Sequence, residues 1–489
     1  MPSEYEAIIG LEVHAELETL SKMFCSCAVV DPTHARPNTS VCPVCAGMPG
    51  VLPVVNQRAV EYALRVALAL DCEIASVSIF ARKNYFYPDL PKGYQISQYE
   101  QPLARNGRLP IHTSQGEKVI RIRRVHLEED TGKLTHVSKE GESYSLVDLN
   151  RAGVPLLEIV TEPDLRSPEE VRAYATSLRS LLRYLEVNSG DMQKGVMRIE
   201  PNVSVRLRGD SRLGTRVEIK NLNSFRALER AVAYETQRQG ESLRQGKPIR
   251  QETVGWDVTQ EVTFTQRVKE AEDDYRYFPE PDLPPLVVEA AWLEQVRLSL
   301  PELPDARLHR FKEQYGLSDY DASVLVAEKG IADYYEQAVA SATGISPKMI
   351  SNWVSGELFG LMNEAGISIE ALRVSPQVLA SLVGMVARQE INNNTAKAVL
   401  AEMFKSGEAP EKIVAKGGLR QISDETHIAS LVTQVLSEHP EQASEYLGGN
   451  QAILRWLFGQ VMRLAKGQAN PHTVQKELEN QLAARKPEA

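Results

Sequence analysis

The sequence lacks any segment that is long and apolar enough to cross a bilayer. No apolar run approaches the roughly 20 residues that a membrane-spanning helix needs. The chain begins with MPSEYEAI, which has neither the basic segment nor the apolar stretch of a signal peptide. These absences exclude a helical membrane protein, and we expect a soluble, cytoplasmic protein with no membrane partner.

An excess of positive charge is also absent. The 489 residues include 55 lysines and arginines against 65 aspartates and glutamates, which gives a formal net charge of -10 at pH 7. Because indiscriminate binding to nucleic acid needs a dense cationic surface, this balance excludes that class of protein. A local basic patch that holds one RNA by its shape stays compatible with it.

The common nucleotide and hydrolase motifs are missing as well. The sequence has no G-x-x-x-x-G-K-[ST] pattern, since DTGKL at 130–134 carries the Gly–Lys pair without the earlier glycine. It also has no G-x-S-x-G nucleophile elbow. Any nucleotide must therefore be bound without a P-loop, and any hydrolytic half-reaction should belong to another chain.

Cysteines are few, but four of the five lie close together. They are Cys25, Cys27, Cys42 and Cys45, and in a cytoplasmic chain this spacing favours a metal site over disulfides. Four thiolates close the tetrahedral shell of Zn²⁺, so the metal would be structural. The C-x-C half departs from the usual C-x-x-C, which leaves free core thiols or a redox pair as alternatives.

The pattern of apolar residues divides the chain into a mixed part and a helical part. Residues 1–292 combine strand-like alternation with helical periodicity, which predicts one large α+β domain. From 293 onward apolar residues recur at helical spacing, and SGEAP at 406–410 indicates a second boundary. The predicted domains are 1–292, 293–410 and 411–489. The predicted strands are 6–17, 117–129, 144–150, 156–162 and 200–207, and the predicted helices of the first domain are 57–72 and 167–186.

The first predicted strand carries acidic and imidazole side chains on one face. Glu12, His14 and Glu16 alternate with apolar residues such as Leu11 and Val13, so one face is buried and the other is polar. The polar face can be the floor of a functional site. An exposed, inert edge of a sheet would show the same pattern.

Three further acidic segments can meet this polar face. HLEED ends with Glu128, Glu129 and Asp130, and strand alternation aims Glu128 and Glu129 at opposite faces unless a bulge intervenes. Glu158 interrupts an otherwise apolar strand, where a lone acid either faces solvent or binds something. The third segment is DDYRYFPEPDLP at 273–284.

Basic side chains accompany these acids. Lys83 and Lys92 lie in ARKNYFYPDLPKGYQISQ, and Lys220 lies in VEIKNLNSF. Carboxylates with an imidazole suit a hard cation such as Mg²⁺ or Mn²⁺, while lysine and arginine suit phosphate oxygens. The combination favours phosphoryl chemistry on a sheet, and the alternative is a set of surface ion pairs.

Taken together, these motifs resemble the B subunit of the tRNA-dependent amidotransferases, the GatB family. The resemblance covers essentially the whole chain, and six long motifs occur in the family's order. They are IGLEVHAEL, KNYFYPDLPKGYQISQ, HLEEDTGK, LVDLNRAGVPLLEIVTEPD, EIKNLNSF and DDYRYFPEPDLP. GLRQISD and LFGQVMRLAKGQANP resemble the family's helical tail, which is shared with YqeY-like proteins.

The resemblance implies a catalytic domain with a fold like that of glutamine synthetase and the guanido kinases. Proteins of this family use ATP and Mg²⁺ to phosphorylate the side-chain carboxylate of Glu-tRNA(Gln) or Asp-tRNA(Asn). Ammonia from the glutaminase of the complex, its A subunit, then displaces the phosphate, which gives the amide form of the aminoacyl-tRNA. The small C subunit holds the other two together, and the tail is implied to bind tRNA.

The resemblance also assigns roles to particular residues of this chain. The catalytic residues are expected to be Glu12, His14, Glu128, Glu129, Glu158 and Lys92. The expected Mg²⁺ ligands among them are His14, Glu129 and Glu158, although alternation leaves the choice between Glu128 and Glu129 open. Lys83 and Lys92 are placed at phosphate or on the polar path of ammonia. The residues expected to bind ATP or the acceptor end are Lys83, Arg198, Lys220 and Arg276.

Two other classes of function stay open. The chain can be a non-catalytic scaffold that presents tRNA to a partner, or a stand-alone metallohydrolase that uses the same acidic cluster. A scaffold has no use for a carboxylate–imidazole cluster, whereas a metallohydrolase would turn over without ATP. The sequence does not decide between Glu-tRNA(Gln) and Asp-tRNA(Asn) as the substrate.

Overall fold

The computed structural model describes residues 4–31, 33–139, 142–268, 275–420, 425–465 and 468–485. Contacts divide the chain into two compact units, Met1–Ala306 and Arg307–Ala489. Asp273 and Asp274 of the third acidic segment lie outside the described residues, as do residues 421–424 and 466–467 of the two tail motifs.

Strands dominate the first unit. Every strand expected from the sequence has a counterpart within a few residues of the predicted bounds. In chain order the strands are β1 Tyr5–Glu16, β2 Glu73–Ile74, β3 Val77–Ser78, β4 Ala81–Asn84, β5 Tyr94–Ser97, β6 Ala104–Thr113, β7 Gly116–Glu129, β8 Lys133–Lys139, β9 Glu142–Asp148, β10 Pro155–Thr161, β11 Met197–Leu207, β12 Val217–Lys220, β13 Glu252–Asp257, β14 Val262–Val268, β15 Phe278–Pro279 and β16 Leu286–Val287.

Four helices complete the first unit. The SPEE segment opens a helix as expected, because the Ser167 side chain accepts a hydrogen bond from the backbone N–H of Glu170 and a proline occupies the first turn. Asn56 and Ser224 cap two others in the same way. The helices are α1 Gln57–Ala69, α2 Pro168–Tyr184, α3 Phe225–Arg244 and α4 Ala290–Leu298. The predicted α+β fold class is confirmed.

A nine-stranded sheet is the centre of this unit. Its order among the described residues is β14-β13-β12-β11-β1-β10-β7-β6-β2. The neighbours are antiparallel except for β12 and β13, which run parallel because α3 connects them as a crossover. The sheet is therefore mixed, with β1 near its middle.

The two faces of the sheet differ in polarity. Leu11, Val13 and Ala15 on β1 are at most 1% exposed and join a core covered by α1, α2 and α3, which pack against β7, β6 and β11. Full burial of a leucine or valine side chain such as Leu11 or Val13 stabilises the fold by about 1.5–3 kcal/mol. The alternate residues of β1 therefore have to point to the other face, which carries the charged side chains and is open.

The second unit is built from helices. In chain order they are α5 Pro304–Tyr315, α6 Asp319–Val326, α7 Lys329–Ser341, α8 Pro347–Asn352, α9 Phe359–Ala365, α10 Pro376–Ala387, α11 Asn393–Ser406, α12 Pro410–Gly417, α13 Glu425–Glu438, α14 Pro440–Leu447, α15 Ile453–Leu464 and α16 Pro471–Ala484, where α5 begins at the end of the first unit. A π-helical turn at Trp353–Leu358 joins α8 to α9, and a short 3₁₀ helix lies at Ile369–Ala371.

Contacts divide the two units at 306/307, and α4 packs against α1 of the first unit and buries Val296 in its core. A domain boundary at 292/293 stays a prediction. Near the C-terminus a separate apolar core joins α13, α15 and α16, with Ile428, Leu457 and Leu478 fully buried. A domain boundary at 410/411 stays a prediction. No helix in the described ranges combines the length and the hydropathy needed to span a membrane.

Candidate active site

Cross-strand pairing places ionisable side chains in a row on the open face of the sheet. His14 on β1 pairs with Arg198 on β11 and with Glu158 on β10, and Glu158 pairs in turn with His126 on β7. Directly paired residues of an antiparallel sheet share a face, with Cβ atoms about 5 Å apart. The register therefore aligns four ionisable side chains across four strands.

The two histidines converge on two glutamates. His14 Nε2 lies 3.6 Å from both Glu128 Oε1 and Glu158 Oε2. His126 Nε2 lies 3.0 Å from Glu158 Oε2 and 3.8 Å from Glu128 Oε2. The hydroxyl of Ser97 donates a hydrogen bond of 3.1 Å to Glu128. Both carboxylates are buried, and each is held by an imidazole rather than by a lysine or arginine.

Mutual attraction keeps this cluster charged. Burial alone would lower the pKa of His14, but the hydrogen bond and charge of Glu158, followed by the charge of Glu128, raise it to about 9. Burial likewise favours the neutral form of Glu158, yet His126 and His14 hold the pKa of Glu158 well below its ordinary value. The cluster thus presents ionised carboxylate oxygens to the open face at neutral pH.

Glu129 lies on the other face of β7. It forms an ion pair with Lys92, and the backbone N–H of Ile96 donates to Glu129 Oε1 at 3.0 Å. The pairing of β7 with β10 is regular at Glu128 and Glu129, and the irregularity falls instead at Val160/Thr161. The sequence left the choice between Glu128 and Glu129 open, and the metal ligands themselves stay a prediction. Glu128, and not Glu129, shares the cluster with His14 and Glu158, and Lys92 lies with Glu129.

A second acidic cluster adjoins the first. Glu12 is paired directly with Glu200 on β11, and oxygens of Glu12, Glu200 and Glu218 lie within 4.8 Å of one another. Lys220 Nζ lies 2.9 Å from Glu200 Oε2 and 3.7 Å from Glu218 Oε1. Burial and the neighbouring glutamates raise the pKa of Glu12. Like charges directly opposite each other destabilise a sheet, so this arrangement is suited to a bound cation.

Arg198 belongs to a third group at the end of β1. Its guanidinium lies 2.9 Å from Asp130 Oδ2 and 3.5 Å from Glu16 Oε1, and Arg151 Nε lies 3.8 Å from the same oxygen of Asp130. Burial raises the pKa of Glu16 to about 8, helped by the charge of Asp130. Although burial opposes it, Arg198 and then Arg151 lower the pKa of Asp130 to about 2. The group keeps two guanidinium ions at the rim of the acidic face.

Lys83 approaches the first cluster from an aromatic wall. Its Nζ lies 4.9 Å from the ring centre of Tyr275 and 5.9 Å from that of Tyr85. Burial alone would lower the pKa of Lys83, but the charges of Tyr277, Glu128 and Glu158 raise it. Lys83 is therefore a stabilised ammonium ion beside the carboxylates, which suits its expected role in binding phosphate.

These groups line one open cleft of ≈ 960 Å³. The expected residues that line it are Glu12, His14, Lys83, Glu128, Glu158, Arg198 and Lys220. Lys92 and Glu129 are not among its lining residues. Arg276 is exposed and also lies outside that set, and its carbonyl accepts a hydrogen bond of 2.8 Å from the side chain of Asn84.

Three members of the two clusters were not expected from the sequence, namely His126, Glu200 and Glu218. Each of them nonetheless stands two residues from an expected one, at i and i+2 of a strand. His126 precedes Glu128, Glu200 follows Arg198 and Glu218 precedes Lys220. The period-2 rule that singled out Glu12 and His14 would have found all three.

The donor sets fit hard divalent cations. His14, Glu128 and Glu158 offer two carboxylate oxygens and, when a cation displaces the proton of the imidazole, one nitrogen, all within 4.8 Å of one another. The Glu12 cluster offers oxygens alone. Mg²⁺ and Mn²⁺ prefer such ligands, and both sets face an open cleft where a substrate can supply the remaining ligands.

The four clustered cysteines form a different kind of site. All four are free, and their Sγ atoms lie within 4.8 Å of one another, with Cys42 and Cys45 at 3.8 Å. Zn–S bonds of about 2.3 Å at a tetrahedral ion put sulfurs roughly 3.8 Å apart, so the geometry fits a four-thiolate metal site. A hydrogen bond from Cys25 lowers the pKa of Cys45 to about 4, and the charge of Lys22 contributes.

Comparison with protein-family models places this geometry in a family. Residues 7–294 match the model described as the GatB/GatE catalytic domain, and residues 333–482 match the model described as the GatB domain. The chain belongs to the GatB family. The first match spans all the cleft residues named above, and the second covers most of the helical unit.

Curated relatives are similar over their whole length. The B subunit of the aspartyl/glutamyl-tRNA(Asn/Gln) amidotransferase of Moorella thermoacetica is 50% identical over 479 residues, which is 98% of this chain and 100% of the relative. The proteins of the same name from Persephonella marina and Thermomicrobium roseum are 49% and 50% identical, again over 98% of this chain. The family resemblance expected from the motifs is confirmed.

Proposed function

We propose that this chain is the phosphorylating and amidating component of a tRNA-dependent amidotransferase. It acts on the side-chain carboxylate of Glu-tRNA(Gln), Asp-tRNA(Asn) or both, and it uses ATP. The observation that carries the proposal is the carboxylate–imidazole cluster of His14, Glu128 and Glu158 on the floor of an open cleft. A scaffold that only presents tRNA would have no use for such a buried charged cluster.

The chemistry explains why a phosphoryl step is needed. A carboxylate does not react readily with ammonia, because the group that would have to leave is hydroxide. Attack of a carboxylate oxygen on the γ-phosphorus of ATP releases ADP and forms an acyl phosphate. Attack of ammonia on the acyl carbon then breaks the C–O bond, releases phosphate and, after loss of a proton, leaves the amide.

Cationic side chains around the cleft suit the phosphoryl step. Little covalent help is required of the protein in such a transfer, so positioning and charge stabilisation dominate. Lys83 stands beside Glu128 and Glu158, while Arg198 and Lys220 stand at the edges of the acidic face. We assign these three to the oxygens of the nucleotide and of the transferred group.

The two acidic clusters would hold Mg²⁺. His14, Glu128 and Glu158 are the proposed ligands of one ion, and Glu12, Glu200 and Glu218 of another, since both sets have hard donors within reach of one ion. Bound Mg²⁺ would offset the negative charge of the phosphates. His126 contacts both glutamates of the first set through Nε2, and we assign it to holding their orientation.

The partners follow from the reaction. The chain would receive ammonia from a glutaminase, the A subunit, with the small C subunit in the same complex, and would act in the cytoplasm. The pair of half-buried Lys92 and buried Glu129 lies on the face of β7 opposite the cleft and lines a small cavity of ≈ 30 Å³ beside Cys25 and Cys45. We place this pair on the path of ammonia, and we assign tRNA binding to the helical tail, 411–489. The cysteine cluster would hold structural Zn²⁺.

The test follows the phosphoryl group itself. The chain, assembled with its glutaminase and the small C subunit, is incubated with γ-labelled ATP and misacylated tRNA in the absence of any ammonia donor. Label on the aminoacyl-tRNA that depends on Glu158 and on the esterified amino acid is the expected result. If tRNA is bound but no label is transferred, the chain is a scaffold and the ATP site lies elsewhere. Turnover without ATP would indicate a metallohydrolase.

A further inference from the structure

Lys22 is a fully buried lysine next to the cysteine cluster. It is 0% exposed and belongs to the largest fully buried side chains of the chain. A buried ammonium ion is costly unless its donors are satisfied and a negative charge lies close by. Its three donors meet Ser40 O at 2.7 Å, Leu149 O at 3.2 Å and Cys45 Sγ at 3.6 Å.

The charge partner of Lys22 is a cysteine. Within the described ranges no ion pair joins Lys22 to a carboxylate, and the acidic group that its ammonium contacts is Cys45, which would balance the charge as a zinc-bound thiolate. Four thiolates around Zn²⁺ carry a net charge of −2, which Lys22 would reduce to −1. Outer partners of this kind orient and tune the ligands of a metal site.

The other contacts of Lys22 lead away from the cysteines. Leu149 belongs to the segment Asp148–Val154, which connects β9 to β10. Asn150 of this segment accepts a hydrogen bond from Ser40 N at 2.9 Å and donates one to Arg36 O at 2.7 Å. The N–H of Met23 donates to Gly153 O at 2.7 Å. The chain is therefore hydrogen-bonded to this segment both before Cys25, at Met23, and before Cys42, at Ser40.

The same segment reaches the cleft through Arg151. Arg151 donates to Thr131 O at 3.0 Å and to Gly132 O at 2.7 Å, and it lies 3.8 Å from Asp130 on the rim of the cleft. It is one of the residues that line the cleft. A continuous set of contacts therefore runs from Cys45 through Lys22 and Leu149 to Arg151.

We propose that Lys22 is a positioning residue that couples metal loading of the cysteine cluster to the segment Asp148–Val154 and so to Arg151. This inference rests on the proposed zinc site. With metal bound, the ammonium holds Cys45 and Leu149 together. Without metal, the thiols separate and the segment loosens. The cysteine cluster would thus set the position of a cationic group in the cleft without touching a substrate.

The first test measures the metal rather than the reaction. Lys22→Met is compared with Lys194→Met, which removes an exposed lysine that pairs with Asp31. We expect Lys22→Met to release Zn²⁺ to a chromogenic chelator at least ~10-fold faster than wild type, while Lys194→Met stays unchanged. With Co²⁺ in place of Zn²⁺, loss of the ammonium should move the thiolate-to-cobalt charge-transfer bands to longer wavelength. A purely structural lysine would leave these bands in place.

The second test needs no substitution. Hydrogen exchange of the wild-type chain is measured before and after zinc is stripped. Amide protons within 148–154 should exchange faster in the stripped chain and in Lys22→Met, whereas those of Leu11–Ala15 should not change. Readdition of Zn²⁺ should restore protection in wild type alone. Equal release rates, or equal exchange within 148–154, would overturn the coupling.

The outcomes separate this inference from the zinc assignment. A wild-type chain that binds no zinc refutes both. A chain that binds zinc, but whose segment 148–154 is indifferent to stripping, refutes only the coupling. Neither result bears on the phosphoryl step, which the labelling experiment tests independently.

Discussion

Two of the three candidate metal centres among the described residues of the first unit differ in access. The cluster of His14, Glu128 and Glu158 opens into a cleft of ≈ 960 Å³, whereas Cys25 and Cys45 of the cysteine cluster line a cavity of ≈ 30 Å³. The first offers hard donors and leaves room for other ligands, and the second offers four soft donors that close the coordination shell. This difference supports the proposal that the first centre binds substrate and that the second stabilises the fold.

Removing a carboxylate from the open centre should have the largest effect. Glu158→Gln keeps the shape of the side chain but removes the charge that two histidines contact. We expect label transfer from ATP to aminoacyl-tRNA to fall by roughly 10²–10³-fold, with tRNA binding unchanged. Glu229→Gln, which alters a partly exposed ion pair with Arg172, is the matched control. Normal transfer by Glu158→Gln would remove this residue from the site.

Glu128 and Glu129 are neighbours on β7 whose side chains lie on opposite faces of the sheet, so they allow the comparison to be tested within one strand. Glu128→Gln should lower label transfer by about 10²-fold, because Glu128 shares the open cluster. Glu129→Gln should spare label transfer and instead impair amidation with glutamine, because Glu129 pairs with Lys92 behind the strand. The measurement compares label transfer and product formation for both variants. The reverse pattern would restore Glu129 to the cation site.

The second acidic cluster should respond to metal concentration. Glu218→Gln removes one of three oxygens that lie within 4.8 Å of one another. We expect the Mg²⁺ concentration for half-maximal label transfer to rise roughly tenfold, while the rate at saturating Mg²⁺ changes little. The experiment is a magnesium titration of the variant against wild type. An unchanged titration would contradict a cation at Glu12, Glu200 and Glu218.

A substitution in the cysteine cluster should have the smallest effect on label transfer from ATP. Cys42→Ser removes one thiolate, and loss of a bound ligand at about 100 times its dissociation constant costs about 3 kcal/mol of stability. We expect the Tm to fall by roughly 5 °C, with label transfer retained at temperatures where the chain is folded. Calorimetry and the labelling assay are run on the same sample. Loss of transfer in the folded variant would mean that the cysteines contribute more than stability.

Local patterns were sufficient to predict the strands that form the site, but not which residues belong to each cluster. The alternation of β1 predicted its polar face, and the lone acid in an apolar strand singled out Glu158. Both follow from the period of a strand, which is a property of consecutive residues. The expected Mg²⁺ ligands differ from the cluster at one position, because periodicity separates Glu128 from Glu129 without saying which face of β7 lies on the same side of the sheet as His14.

Composition, spacing and motif order were enough to predict the α+β class, the cysteine quartet, the strands with mixed polarity and the family. The three-dimensional fold was needed to show that Glu128 lies with His14, that Glu200 and Glu218 surround Glu12, and that Lys22 bridges Cys45 and Leu149. These facts depend on contacts between residues that lie more than 100 positions apart in the chain, as do His14 and Glu128 or Glu12 and Glu200. No local pattern specifies which distant strands become neighbours.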